Sequence, residues 1–181
     1  MLPIAEIVSN LSRGKAKLGE TTLIAIDGPS GAGKTTLSKQ LEYELNDVET
    51  IHMDDLYAGW KDALSQELYE RISTQILTPL SLESVACYQK YNWYTNKFED
   101  WVELDCPRYL LLEGVGAAAI PNRQWISFSV YMDVSDSLGL ERVRRRDGDA
   151  IVAFIPEWQE MQRQHFEEHQ TKASADLLLE V

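Results

Sequence analysis

The feature that most constrains this chain is a glycine-rich loop between two apolar segments. Residues 21–41 read TTLIAIDGPSGAGKTTLSKQL, and residues 28–35 match the pattern G-x-x-x-x-G-K-[ST]. The β-rich run before the loop predicts a strand, and the leucines at every fourth position after it predict a helix with one buried face. A strand, a glycine loop and a helix in this order indicate a binding site for the phosphates of a nucleotide. A glycine-rich turn that binds nothing is the weaker alternative.

Each residue type in this loop has a chemical reason to be there. Gly28, Gly31 and Gly33 permit positive φ angles, so successive N–H groups can point into one concavity that accepts phosphate oxygens. The helix that begins near Lys34 adds its unpaired N–H groups and the positive end of its dipole. We expect Lys34 to reach the β- and γ-phosphates and the Thr35 hydroxyl to help hold Mg²⁺. The expected nucleotide-binding residues are Gly28, Pro29, Ser30, Gly31, Ala32, Gly33, Lys34, Thr35 and Thr36.

The rest of the 181-residue chain alternates between strand-like and helix-like segments. This alternation predicts an α/β domain with a mainly parallel sheet that helices cover on both faces. No linker rich in proline, glycine or serine divides the chain, so we expect a single domain over residues 1–181. Residues 1–20 are expected to form an N-terminal helix and a connector.

Composition and charge limit the kinds of partner. The net charge is −12, from 29 acidic and 17 basic residues, and general nucleic-acid binding needs a basic face instead. No apolar run approaches the roughly 18 residues of a membrane span, so no membrane partner is expected. The N-terminus lacks the features of a secretory signal, which favours a cytoplasmic location. The sequence leaves both a monomer and a homodimer open.

Two aspartates follow the second predicted strand. Ligands of open α/β sheets bind outside the carboxyl ends of the strands, so Asp54 and Asp55 are expected near the nucleotide. A carboxylate there can orient an acceptor hydroxyl, take its proton and contact Mg²⁺. A helix cap or a solvated turn is the alternative, but the glycine loop upstream favours a catalytic role for Asp54.

Two further segments offer charges to a nucleotide. Glu113 ends a predicted buried strand and is expected to bind Mg²⁺ directly or through water, with a helix cap as the alternative. The segment of about 136–150 carries Arg142, Arg145 and Arg146 at spacings of three and four, which places them on one face of a predicted helix. Guanidinium groups match the charge of a transferring phosphoryl group, so we interpret this segment as a catalytic arginine lid. An exposed helix paired with acidic neighbours is the alternative.

Together these motifs resemble the uridine kinase and phosphoribulokinase branch of P-loop kinases. The segments GPSGAGKTT, MDDLY, YNW, LLLEGV and RVRRRDG occur in the order that this family uses, over roughly residues 21–180. The resemblance implies a three-layer P-loop NTPase fold with a mainly parallel, five-stranded sheet. It also implies ATP and Mg²⁺ as cofactors, and transfer of the γ-phosphoryl group to a hydroxyl of a small molecule.

The resemblance also assigns roles on the acceptor side, which it places at about residues 56–105. It implies that Asp54 is the base for the acceptor hydroxyl, and that Asp55 and Tyr57 line the acceptor pocket.

A second acceptor motif lies further along the same segment. Tyr91, Asn92 and Trp93 stand where the family has Tyr-Asp-Phe, whose acidic residue contacts a nucleoside sugar, so these three are expected to bind the acceptor. The aromatic residues around this motif either stack on an acceptor or form the small core of a β hairpin.

These observations give one leading function and two alternatives. The leading function is an ATP-dependent kinase that phosphorylates a hydroxyl of a small metabolite, nucleoside-like or sugar-like. A nucleotide-binding switch without small-molecule transfer is the first alternative. A nucleoside monophosphate kinase is the second, and it would need an arginine for the phosphate of its acceptor. Arg71 is the only arginine between the glycine loop and Arg108.

Overall fold

The centre of the molecule is a sheet of five parallel strands. The structure is a computed structural model that describes residues 3–148 and 154–181. In that part of the chain the strands are β1 (Thr22–Asp27), β2 (Val48–His52), β3 (Ala86–Asn92), β4 (Lys97–Leu104), β5 (Tyr109–Glu113), β6 (Ile126–Asp133) and β7 (Leu177–Glu180). The order across the parallel sheet is β2–β5–β1–β6–β7, while β3 and β4 form a separate antiparallel hairpin.

Helices connect most of these strands. They are α1 (Ile4–Arg13), α2 (Lys34–Glu44), α3 (Gln66–Arg71), α4 (Thr78–Ser81), α5 (Asp136–Asp147) and α6 (Ile155–His169), and a π-helical segment, Ile72–Leu77, joins α3 to α4. Residues 1–2 of the expected N-terminal helix and connector, and residues 149–150 of the expected lid, lie outside the described residues. No helix in the described ranges is both long enough and apolar enough to cross a membrane.

The central strand β1 shows why the sheet is covered on both faces. Its side chains alternate in direction, as in any strand. Leu23 and Ala25 are buried in one hydrophobic cluster together with residues of the α3–α4 region and α6. Ile24 and Ile26 are buried in a second cluster with residues of α1 and α2. The three-layer α/β fold predicted from the sequence is therefore confirmed.

The region between β2 and β5 contains the segment that we expected on the acceptor side. It begins with a 3₁₀ turn, Met53–Asp55, and continues through the α3–α4 helical stretch to the β3–β4 hairpin. The hairpin pairs from Ala86 with Leu104 to Asn92 with Lys97, with a shift of register between Gln89 and Tyr91. One end of it lies against the carboxyl end of β2, because Trp93 Nε1 donates a hydrogen bond of 3.0 Å to the carbonyl oxygen of Asp54.

Candidate active site

The glycine loop adopts the conformation that a phosphate-binding loop requires. Gly33 has a φ of 89° and caps the start of α2, so the first N–H groups of this helix face the loop. Lys34 is buried, and its Nζ donates hydrogen bonds to the carbonyl oxygens of Gly28 (2.8 Å) and Pro29 (3.0 Å). The lysine side chain thus lies along the loop, with its ammonium group bonded to two loop carbonyls.

Two glycines allow α5 to pack directly on this loop. A Cβ added to Gly31 would lie 2.3 Å from the carbonyl oxygen of Gly139, and a Cβ added to Gly139 would lie 2.7 Å from the carbonyl oxygen of Ser30. Real Cβ atoms do not approach backbone oxygens so closely, so both positions require glycine. This backbone-to-backbone contact brings the arginines of α5 beside the loop.

Glu113 is the centre of a short polar chain at the end of β5. Its Oε1 accepts a hydrogen bond of 3.0 Å from the Thr35 hydroxyl and lies 2.5 Å from His52 Nδ1. Burial alone would raise the pKa of Glu113, but the hydrogen bond from His52 and the charge of Lys34 outweigh it, so the pKa falls below its usual range. Glu113 is therefore a carboxylate at neutral pH.

The oxygens of Thr35 and Glu113 fit the ligand preference of Mg²⁺. This ion takes oxygen ligands, keeps several waters, and is usually held by one or two protein side chains together with substrate phosphates. In the described residues, no group of three or more histidine, cysteine, aspartate or glutamate side chains forms a metal site made by the protein alone. The pair suits an ion that arrives with a nucleotide.

Two cavities meet beside the loop. The first, which we call the phosphate groove, has a volume of about 410 Å³, and residues that line it include Lys34, Thr35, Thr36, Lys39, Glu113 and Arg142. The second, which we call the aromatic cavity, has a volume of about 210 Å³, and residues that line it include Tyr57, Trp60, Trp93, Trp158, Gln159 and Gln162. Ser30, Asp54, Val143 and Arg146 line both. Chemistry between ligands of the two cavities would take place beside these shared residues.

Asp54 lies in the cleft between the two cavities. Its surface is open to solvent in the cleft, yet protein surrounds the carboxyl on most sides. This desolvation raises the pKa of Asp54 above its usual value, although the positive charges of Lys34 and Arg146 oppose the shift. Asp54 is thus a more basic carboxylate than an aspartate on an open surface.

The three arginines of α5 have different positions. Arg142 donates a hydrogen bond of 3.2 Å to the carbonyl oxygen of Gly31 and lines the phosphate groove. Arg146 lines both cavities and forms two hydrogen bonds of 2.7 Å with Asp147. Arg145 is exposed and does not line either cavity, because at about 100° per residue it points away from the face that carries Val143.

Trp60 contacts three other aromatic rings at the aromatic cavity. Its ring stacks on Phe154 at a centroid distance of 5.2 Å and contacts Trp93 at 5.3 Å and Trp158 at 5.9 Å. Trp60 lies in the loop after β2, Trp93 lies in the hairpin turn, and the other two rings lie just before α6 and within it. The cavity therefore forms only when these parts of the chain pack together.

The expected acceptor residues divide into those that reach this cavity and those that do not. Trp93 lines it, and so does Tyr57, whose hydroxyl donates to the carbonyl oxygen of Val115. Tyr91 lies behind Trp93, with its ring centroid 5.3 Å away, and is not among the lining residues.

Asp55 and Asn92 have other partners. Asp55 pairs with Lys90 at 2.9 Å. The side-chain oxygen of Asn92 accepts hydrogen bonds from the N–H groups of Tyr94 and Thr95, which shapes the hairpin turn. Neither side chain lines either cavity.

The sequence patterns did not lead us to one buried residue of the site, Asp27. Its carboxylate accepts hydrogen bonds from the N–H groups of Gly28 (2.7 Å), Gly116 (3.0 Å) and Ala118 (2.9 Å). It therefore ties the start of the glycine loop to the turn after β5, which follows Glu113. Burial raises its pKa, although these hydrogen bonds oppose the shift. Its position directly before Gly28 was the signal for this role.

Comparisons with known proteins support the same architecture. A solved structure described as a possible uridine kinase from Bacillus stearothermophilus has a TM-score of 0.72 and 21% identity, with 97% of this chain and 96% of that chain covered. Another, described as a candidate fructose transport system kinase from Silicibacter sp. TM1040, has a TM-score of 0.72 and 17% identity, with 98% of this chain and 99% of that chain covered. No curated protein matches the chain.

At these identities the likeness concerns the fold alone. Residues 24–152 match a protein-family model described as an AAA domain. The matched range includes the glycine loop, Asp54, Glu113 and the arginines of α5. The chain belongs to this AAA-domain family of P-loop proteins.

Proposed function

We propose that this protein is an ATP-dependent kinase that transfers the γ-phosphoryl group to a hydroxyl of a small metabolite, nucleoside-like or sugar-like. The observation that carries the proposal is the arrangement of two cavities around shared residues. Asp54 and Arg146 line both the phosphate groove and the aromatic cavity. A carboxylate and a guanidinium at this junction are the groups that transfer from a nucleotide to an acceptor hydroxyl needs.

On the nucleotide side, the chain holds and neutralises phosphates. The N–H groups of the loop and of the first turn of α2 donate hydrogen bonds to them, and Lys34 exchanges its carbonyl partners for phosphate oxygens. Thr35 and Glu113 would hold Mg²⁺, which offsets phosphate charge when it is bound. Arg142 and Arg146 stabilise the negative charge that the equatorial oxygens carry during transfer.

On the acceptor side, Asp54 orients the hydroxyl and takes its proton. General-base catalysis is most efficient when the pKa of the base approaches the working pH. The raised pKa of Asp54, caused by desolvation in the cleft, is a shift in this direction. The aromatic rings and the amides of Gln159 and Gln162 offer flat surfaces and hydrogen bonds to an acceptor that carries a ring and hydroxyls.

The charges of the aromatic cavity favour an acceptor without a phosphate of its own. Among the described residues that line it, Arg146 is the one with a cationic side chain. Arg71, which a nucleoside monophosphate kinase would need for its acceptor, donates a hydrogen bond of 2.9 Å to the carbonyl oxygen of Leu56 and lies over the ring of Phe98. These observations therefore favour a metabolite kinase over a nucleoside monophosphate kinase.

A screen of acceptors tests the proposal. Purified protein is incubated with ATP, Mg²⁺ and single nucleosides, sugars or other hydroxyl metabolites, and ADP is measured. We expect one chemical class to raise ADP release well above the rate without acceptor, and Asp54→Asn to abolish the increase. ATP binding without acceptor-dependent ADP release across the panel would instead support the nucleotide-binding switch.

A further inference from the structure

Ser30 of the glycine loop is held at two points by α6. Its hydroxyl accepts a hydrogen bond of 2.8 Å from Nε1 of Trp158, and its backbone N–H donates one of 3.2 Å to Oε1 of Gln162. Trp158 and Gln162 are both buried, so water competes little for these hydrogen bonds. The two residues lie four positions apart on α6, which puts them on one face of that helix.

The same indole also forms part of the acceptor side. Trp158 lines the aromatic cavity, and its ring contacts Tyr57 at a centroid distance of 5.7 Å and Trp60 at 5.9 Å. Its ring therefore forms part of the wall of the aromatic cavity, while its N–H donates a hydrogen bond to the glycine loop, which also borders the phosphate groove. Few side chains other than tryptophan combine a large apolar ring with a hydrogen-bond donor at its edge.

We propose that Trp158 is a positioning residue for nucleotide binding: its indole N–H fixes Ser30 and thereby sets the conformation of the phosphate-binding loop from the acceptor side. This inference rests on the proposed function, since it assumes that the loop binds a nucleotide. Trp158 acts through Ser30 and is not required to touch the nucleotide itself. Gln162 supports the same arrangement by holding the backbone of Ser30.

A role in packing alone makes a different prediction. If Trp158 only filled space, loss of its N–H would leave nucleotide affinity unchanged as long as a ring of similar shape remained. If it positions the loop, the same loss lowers nucleotide affinity, and removal of its partner hydroxyl has the same effect. The two effects on affinity are then not additive, because both changes remove the same hydrogen bond between Trp158 and Ser30.

A double-mutant cycle on Mg·ATP affinity tests this. Binding is measured by calorimetry for the parent protein, Trp158→Phe, Ser30→Ala and the double variant. We expect each single change to weaken binding by about 3- to 10-fold, the range for one lost hydrogen bond, and the double variant to bind no more weakly than the single variants. Trp158→Phe keeps an aromatic ring in the wall, so its melting temperature should fall by only a few degrees.

Trp125→Phe is the matched control. Trp125 is partly buried and packs against the same hydrophobic cluster as Trp158, but it lines neither cavity. Its replacement should leave Mg·ATP affinity unchanged. Unchanged affinity in Trp158→Phe, or single effects that multiply in the double variant, would overturn the positioning role and leave the kinase proposal standing. Absence of Mg·ATP binding by the parent protein would overturn both.

Discussion

His52 and Glu113 form a close pair at the carboxyl ends of two neighbouring strands. His52 ends β2, Glu113 ends β5, and the parallel register places them opposite each other, with Nδ1 2.5 Å from Oε1. The hydrogen bond to Glu113 raises the pKa of His52 above its usual value, more than partial burial lowers it. The pair keeps Glu113 charged next to Thr35, so it helps to shape the expected Mg²⁺ site.

This pair predicts how stability depends on pH. A histidine whose pKa is higher in the folded state than in the unfolded chain, where it is about 6.5, stabilises the fold fully below that value. The contribution is then lost as the pH rises through the folded-state pKa. His52→Gln should therefore cost more unfolding free energy at pH 5.5 than at pH 9. The difference should be on the order of 1 kcal/mol or less, because the His52 side chain is 39% exposed.

Urea unfolding of both proteins at the two pH values measures the difference. Burial lowers the pKa of His165 to about 3 and also lowers that of His169, so both residues affect how stability depends on pH. They are present in both proteins, so their effect cancels in the difference between parent and variant. A cost of His52→Gln that is equal at both pH values, or larger at pH 9, would contradict the assignment.

The Thr35 hydroxyl offers a second prediction, on magnesium. Thr35→Ala removes this oxygen, whereas Thr35→Ser keeps it with little change in the backbone. We expect the Mg²⁺ concentration for half-maximal ATP binding to rise by about 10-fold or more in Thr35→Ala, the scale of a lost metal-site group. It should stay within about 3-fold of the parent in Thr35→Ser. Titration with Mg²⁺ at fixed ATP measures both, and equal behaviour of the two variants would exclude Thr35 from the metal site.

Asp54→Asn tests the base of the reaction. Asparagine keeps the shape of the side chain but cannot accept the acceptor proton, so turnover should fall by about 10²- to 10⁴-fold. Affinity for Mg·ATP should change much less. The measurement is acceptor-dependent ADP release at saturating substrates. Asp62→Asn, the same change at an exposed position after β2, is the control and should turn over at the parental rate. Parental turnover in Asp54→Asn would remove Asp54 from this role.

A comparison of two tryptophans in the β3–β4 region tests whether the aromatic cavity binds the acceptor. Trp93 lines the aromatic cavity, whereas Trp101 is 59% exposed and lines neither cavity. Trp93→Ala should raise the KM for the acceptor by about 10-fold, the order expected for loss of a stacking ring, and leave the KM for ATP unchanged. Trp101→Ala should change neither. Steady-state kinetics with each substrate varied in turn gives both values, and an equal effect of the two changes would argue against the cavity as the acceptor site.

Much of the fold followed from local patterns in the sequence. Short windows of the sequence encode the strand before the glycine loop, the helix α2 after it and the buried strand that ends at Glu113. All three lie where we predicted. The conformation of the loop could be predicted because positions 31 and 33, with φ angles of 81° and 89°, have a backbone that glycine adopts readily and other residues adopt rarely.

The contacts between segments that are distant in the sequence could not be predicted from such local patterns. Gly139 packs on Ser30 and Gly31, and Trp158 bonds to Ser30 across 128 positions of sequence. Nothing near Gly139 or Trp158 in the sequence indicates these partners, since they depend on how α5 and α6 cross the end of the sheet.

For the arginines, sequence spacing alone could not settle the orientation. Helical spacing groups Arg145 with Arg142 and Arg146, but only the packing of α5 decides which of them point at the groove.

Calorimetric titration of the purified protein with Mg·ATP tests the central claim most directly, because every role above requires a loop that binds polyphosphate. We expect saturable binding with a dissociation constant between about 1 μM and 1 mM, the range of typical enzyme substrates. Lys34→Met, which removes the ammonium group at the loop, should weaken this binding by at least about 10-fold. No heat of binding and no rise in melting temperature with Mg·ATP or Mg·GTP, in a protein that is folded, would contradict the account.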